Sequence, residues 1–185
     1  MDSPGNPFKF LGLAERFDLS ATEVNGAYLR AAARNHPDRF TDPAERAAAE
    51  GRIAAINEAK AVLLDEEARA GALLRTLGGP GKEAERGLPP GLLMEMMEVR
   101  TAMEEEIAGG ATGAREKWKA WALARRAEHV ERVRRLFAEC AAGPEPAMLR
   151  EIRIELNAWR YVERMIEQLD PAYGQQDERN RSGGT

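Results

Sequence analysis

The 185-residue chain has a single cysteine, Cys140, so no disulfide can form within it and no zinc site on paired thiolates or all-cysteine cluster site can be assembled from its own residues. A reducing compartment suits such a chain. Aromatic residues supply only 6%, while the hydrophobic fraction is 43% and alanine is abundant. That balance supports a buried core but disfavours an aromatic-rich β-sandwich, and an all-α fold is expected. No stretch alternates apolar and polar residues long enough to build a sheet. Nor do 18 apolar residues ever follow one another, so no membrane span is expected. The opening residues, Met1 to Pro7, are turn-rich, with neither a basic nor an apolar targeting region, and a cytoplasmic protein is the reading. A net charge of −4 with 31% charged residues excludes a generally basic nucleic-acid coat, so any basic recognition must be local.

What is present is helical and divided by breakers. Gly78-Gly79-Pro80-Gly81 and Gly87-Leu88-Pro89-Pro90-Gly91 predict a linker over 79–90 between residues 1–78 and 91–170. In the first block Ser20 and Glu23 form a capping box before a helix to about Asn35, with Val24 and Tyr28 at helical spacing. A second helix, about Pro43 to Leu64, repeats Ile53, Ile56, Ala59 and Leu63 at spacings of three and four. The two read as an antiparallel hairpin, preceded by a short segment at Phe8 to Leu13 and followed by a turn or two at Glu67 to Leu77. Further breaks at 109–113 and 143–146 divide the second block into helices over about 91–108, 114–142 and 146–169, a three-helix antiparallel bundle. Residues 171–185 have nothing to bury and are expected to form a disordered tail.

The sharpest local signal is His36-Pro37-Asp38, in the loop between the paired helices and flanked by Arg30, Arg34 and Arg39. Pro37 fixes its own φ and makes a rigid loop cheap to present, while the arginines supply local positive potential. No nucleophile, phosphate loop or metal spacing accompanies the histidine, so catalysis by this chain is not expected. With Tyr28-Leu29, Asn35 to Phe40, Ile56-Asn57-Glu58-Ala59 and Ala61 to Asp65, the region from Phe8 to Leu77 resembles a J-domain. The resemblance implies that His36, Pro37 and Asp38 stimulate the ATPase of a DnaK-type chaperone and that Arg30, Arg34 and Arg39 steer its acidic surface.

In the helix over 91–108, Leu92, Met96, Val99, Met103 and Ile107 share a narrow arc suited to a core. Leu93, Met97 and Met94 lie roughly 80°, 120° and 180° from its centre, so Met94 and Met97 are predicted to face outward among Glu98, Arg100, Thr101 and Glu104. An apolar patch rimmed by charge is a sign of a protein partner. In the last helix Leu149, Ile152, Leu156, Trp159, Val162 and Ile166 form the expected core stripe. Ile154, Tyr161 and Met165 are expected on the far side, as further partner surface.

Taken with His36-Pro37-Asp38, the run Leu92 to Arg100, Asn57, Ala68-Arg69-Ala70 and Leu73-Leu74 resemble the HscB family over about Phe8 to Leu169. The resemblance implies a J-domain hairpin followed by a three-helix bundle, and an adaptor that carries an IscU-type iron-sulfur scaffold protein to an HscA/DnaK-type chaperone. It assigns scaffold contact to Leu93, Met94, Met97, Glu98, Arg100 and Tyr161, with no cofactor of the chain's own. A different client of a J-domain co-chaperone is the runner-up. Lys117-Trp118-Lys119-Ala120-Trp121, with Arg125, Arg126, Arg132, Arg134 and Arg135, raises nucleic-acid binding as a competing possibility. Glu116, Glu128, Glu131 and Glu139 among them favour a solvated, ion-paired helix instead. The spacing of Cys140 from Val130, Val133 and Phe137 places it in the bundle core.

Overall fold

A computed structural model describes residues 5–140 and 143–170; the expected tail over 171–185 lies outside the described residues. Seven α-helices and no strand occur among them: α1 (Pro7–Leu11), α2 (Ala21–Arg34), α3 (Pro43–Leu64), α4 (Glu66–Thr76), α5 (Leu92–Ala108), α6 (Ala114–Glu139) and α7 (Pro146–Leu169). None of the described helices is long and apolar enough to cross a membrane.

Local chemistry sets most of the boundaries. The Ser20 hydroxyl accepts from the Glu23 amide while the Glu23 carboxylate accepts from Ser20 N, the reciprocal capping box that starts α2. Asp42 caps α3 ahead of Pro43, and Pro146 occupies the first turn of α7. Asp65 ends α3 and caps α4, its carboxylate accepting from Ala68 N at 2.7 Å, so these two helices meet at a corner with no intervening loop. The segment expected to add a turn or two is thus an 11-residue helix. Gly91 precedes α5 at φ 81°, a conformation that costs a glycine little.

Two hydrophobic clusters fill the interior. The first gathers α1 to α4 together with Val130, Val133, Leu136 and Phe137 of α6 and Leu149, Ile152, Leu156 and Trp159 of α7. Its centre is Phe17, a loop residue only 4% exposed. Phe17 stacks on Phe137 at 5.7 Å and meets Trp159 edge-on at 6.5 Å. The buried Arg69 guanidinium fastens that loop, donating from Nε to the Phe17 carbonyl at 2.9 Å and from Nη1 to the Leu63 carbonyl. Arg126 bridges Glu66 of α4 and Glu163 of α7, and Arg134 reaches Asp18 at 2.8 Å. The breaker-rich stretch therefore interrupts the helices while the core runs across it. Cys140 is buried in this cluster, as its spacing indicated, and burial pushes its thiol pKa up.

The second cluster joins α5 (Leu92, Met96, Met103), α6 (Trp118, Ala122) and α7 (Ala158, Val162, Met165, Leu169). It corrects part of the reading of α7. Met165, expected on the far side, is 5% exposed, because α5 covers that flank of α7. Ile166, expected in the core stripe, packs half-buried at the edge of the second cluster. Ile154 is half-buried beside Gly87, and Tyr161 packs half-buried against the second cluster, so the partner surface expected on α7 shrinks to the parts of these two side chains left open.

The connector is fastened down as well. Asn157 Nδ2 donates to the carbonyls of Glu85 and Gly87 at 3.1 and 3.0 Å, and the Glu85 carboxylate accepts from Gly87 N while pairing with Arg150. The Gly87 amide and, after it, the Arg150 guanidinium hold the Glu85 pKa below the usual carboxylate range.

Candidate functional sites

The loop between α2 and α3 is small and clamped from behind. Pro37–Arg39 form a single 3-10 turn, and His36 caps it, its Nδ1 accepting from Asp38 N at 3.3 Å and lying 3.5 Å from the Asp38 carboxylate. The side chains of both residues are largely solvent-exposed, so neither is spent on the core. Behind them Asn35 accepts from Arg52 Nε at 2.9 Å and donates to the Ala31 carbonyl, tying the loop to both helices. Arg52 also lies over the Phe40 ring at 5.4 Å. Arg39 reaches back to the Ala33 carbonyl at 3.3 Å, and Arg30 and Arg34 are exposed on α2. The result is a preorganised projection with three cations around it, suited to docking on an acidic protein surface.

The second site is the outer face of α5. Leu93, Met94 and Met97 are 54%, 70% and 62% exposed, although each is bulky and apolar. With Glu98, Thr101, Ala102 and Glu105 they form one wall of an open groove of about 1020 Å³, whose other wall is Arg86, Leu88 and Pro89 of the connector. Arg100 and Tyr161 do not join it. They line a separate cleft of about 190 Å³ between α5 and α7, with Met96, Met103 and Met165 at its base. Arg100 pairs with Glu104 at 2.8 Å, which together with that residue's charge raises the guanidinium's pKa.

Five of the eight Lys and Arg residues of α6 have carboxylate partners at home, Arg126 and Arg134 among them. Lys117 pairs with Glu106, Arg125 with Glu95 and Glu128, and Arg132 with Glu151 and Glu155. Trp118 is buried and donates to Glu106 at 3.1 Å. An aromatic that stacks on bases must be reachable, so this arrangement speaks for an ion-paired scaffold helix and against a nucleic-acid platform. Among the described residues, no group of three or more His, Cys, Asp or Glu side chains is gathered as a metal would need.

Known proteins share the fold and the sequence family of this chain. The DnaJ domain family matches residues 6–71, which contain the clamped loop. The structure superposes on the chaperone HscB from Vibrio cholerae with a TM-score of 0.73 at 21% identity, covering 93% of this chain and 99% of that one. Human co-chaperone protein HscB gives a TM-score of 0.71 at 20% identity, covering 91% and 82%. These likenesses establish a shared all-α fold, a J-domain followed by a helical bundle. In sequence, the co-chaperone protein HscB homolog of Bordetella avium is 30% identical over 169 residues, which cover 88% of this chain and 94% of the relative. The chain belongs to the HscB family of co-chaperones. Against the homolog from Ralstonia nicotianae the identity is 36% over 107 residues, and this alignment spans only 60% of that protein.

Within this HscB-family chain, then, His36, Pro37 and Asp38 stand together with Arg39 on one projection, and Leu93, Met94, Met97 and Glu98 stand together in one groove. Arg100 and Tyr161 form a neighbouring, separate pair. Helical periodicity could not find the connector wall, Leu88 and Pro89. The available signal was an isolated leucine between Gly87 and Pro89, an apolar side chain in a stretch otherwise made of breakers and charges.

Proposed function

We propose that the chain is a co-chaperone without catalytic activity of its own, which holds an IscU-type iron-sulfur scaffold protein and presents it to an HscA/DnaK-type chaperone in the cytoplasm. Residues 1–78 form the J-domain, 79–90 the connector and 91–170 the scaffold-binding bundle. The observation that carries the reading is that an exposed, clamped His36-Pro37-Asp38 loop and an exposed apolar groove on α5 occur in one molecule with a continuous core. His36, Pro37 and Asp38 act as the trigger, Arg30, Arg34 and Arg39 as steering charges. Leu93, Met94 and Met97 supply apolar contact, Glu98 borders their groove, and Arg100 with Tyr161 extends the contact toward α7. Holding client and chaperone on one body makes their encounter effectively intramolecular and directs ATP hydrolysis to the client. Binding requires no cofactor and no nucleic acid.

The test is His36→Gln, assayed for stimulation of the chaperone's steady-state ATPase with the scaffold present. Stimulation should disappear while helicity and scaffold affinity stay at parental values. Stimulation that persists removes the J-domain role.

A further inference from the structure

A second groove, of about 610 Å³, opens between α3, α4, the connector and α7, and nothing in the co-chaperone reading uses it. Four cations line it, Arg75, Lys82, Arg153 and Arg160, against two carboxylates, Asp65 and Glu67. Both carboxylates are already engaged. Asp65 caps α4 through Ala68 N, while Glu67 is shared between Lys82 at 3.5 Å and Arg160 at 3.6 Å. Arg160 also holds Glu167 at 2.9 Å.

Arg153 is left over. It is only 4% exposed, its Nε is buried with no hydrogen-bond partner, and no carboxylate among the described residues comes within ion-pairing distance. Burial lowers its pKa and the charge of Arg75 adds to that, with Glu67 opposing. A guanidinium withdrawn from water without a counter-ion is unfavourable, and folded proteins seldom leave such a group unmet. Its planar fork of donors matches the oxygens of a phosphate. With Glu67 paired to Lys82 and Arg160, and Glu167 to Arg160, Arg75 and Arg153 carry the two charges at the groove that no carboxylate among the described residues pairs, which suits a dianion.

We propose that this groove binds a small multivalent oxyanion of the phosphate class, with Arg153 as the inner contact and Arg75, Lys82 and Arg160 around it. The bound anion touches α4 of the J-domain and α7 of the bundle together, so it fastens the two halves to each other.

Inorganic pyrophosphate is titrated into the full chain by calorimetry at constant ionic strength near 0.15 M, with thermal melts in parallel and citrate as a carboxylate control. Saturable 1:1 binding with half-saturation below about 1 mM is expected, together with a rise in Tm. Arg153→Met, which keeps the side-chain volume and removes the unpartnered charge, should fold and weaken pyrophosphate at least about tenfold. Lys82→Gln, at the exposed rim, should weaken it a few-fold and decides the matter should Arg153→Met lose helicity. ATPase stimulation should stay parental in Lys82→Gln. The proposal is overturned by no saturable heat up to about 10 mM pyrophosphate, by parental affinity in the folded variants, or by citrate binding more tightly than pyrophosphate. The readout is direct binding, so it is independent of which chaperone or client the protein serves.

Discussion

Replacing Leu93 and Met97 together by alanine separates recognition from folding, because both side chains already stand in solvent. Full burial of a leucine or methionine side chain is worth about 1.5–3 kcal/mol. Leu93 is 54% and Met97 62% exposed, so the part still available to a partner is about 1–1.5 kcal/mol each. Together they should cost about 2–3 kcal/mol of scaffold affinity, a rise in Kd of roughly 30- to 150-fold, expressed mainly as faster dissociation. The same substitutions should leave Tm within about 2 °C, since little packing is lost and alanine favours the helix. Leu92, next in sequence and 3% exposed, supplies the opposite control: Leu92→Ala should destabilise the fold by about 2–5 kcal/mol. Calorimetric titration with the scaffold protein, beside thermal melts of all three chains, measures both quantities. A Kd within twofold of the parent for the double variant refutes the α5 groove as the client site. A large drop in its Tm refutes the separation itself.

Phe17→Ala should remove a ring packed between Phe137 and Trp159 and cost about 3–5 kcal/mol, or about 10 °C in Tm, as one transition by near-UV and far-UV circular dichroism; two separated transitions would contradict a continuous core. Glu23's pKa lies below 4.5 because its carboxylate accepts from the Ser20 backbone and hydroxyl and faces Arg16. The ionised form is therefore favoured in the native state, and its contribution is full above the unfolded-state pKa and lost as pH falls through the depressed folded value. Denaturant melts of the parent and Glu23→Gln should differ most above about pH 5 and converge in acid; a gap that widens on acidification would refute the cap.

The features legible in the sequence were those with local causes. Ser20 with Glu23, Pro43 and Pro146 mark helix starts because these signals act within a few residues of themselves. Met94 and Met97 were placed outward by periodicity alone because α5 is covered on only one side. On α7 the same reasoning failed. That helix is enclosed by the first block on one flank and by α5 on another, so its buried residues span roughly 240° of the wheel and include Arg153 and Glu155, which no apolar stripe predicts. Phe17 lay outside every periodic segment. Its burial depends on Arg69, 52 residues away, and on Phe137, 120 positions along the chain, contacts that only the assembled fold brings together. The α5 groove was read as one wall for the same reason, since its other wall comes from a stretch chosen for breaking helices.

The core that crosses the connector also limits how such a chain can change over evolutionary time. A gene fragment ending near residue 78 would leave Phe17 without Phe137 and Trp159, and its complement would expose Leu136, Phe137, Ile152 and Trp159 to water. Neither piece could be grafted onto an unrelated partner without a new cover for that surface, so the two halves should be inherited and lost together rather than shuffled as exchangeable modules.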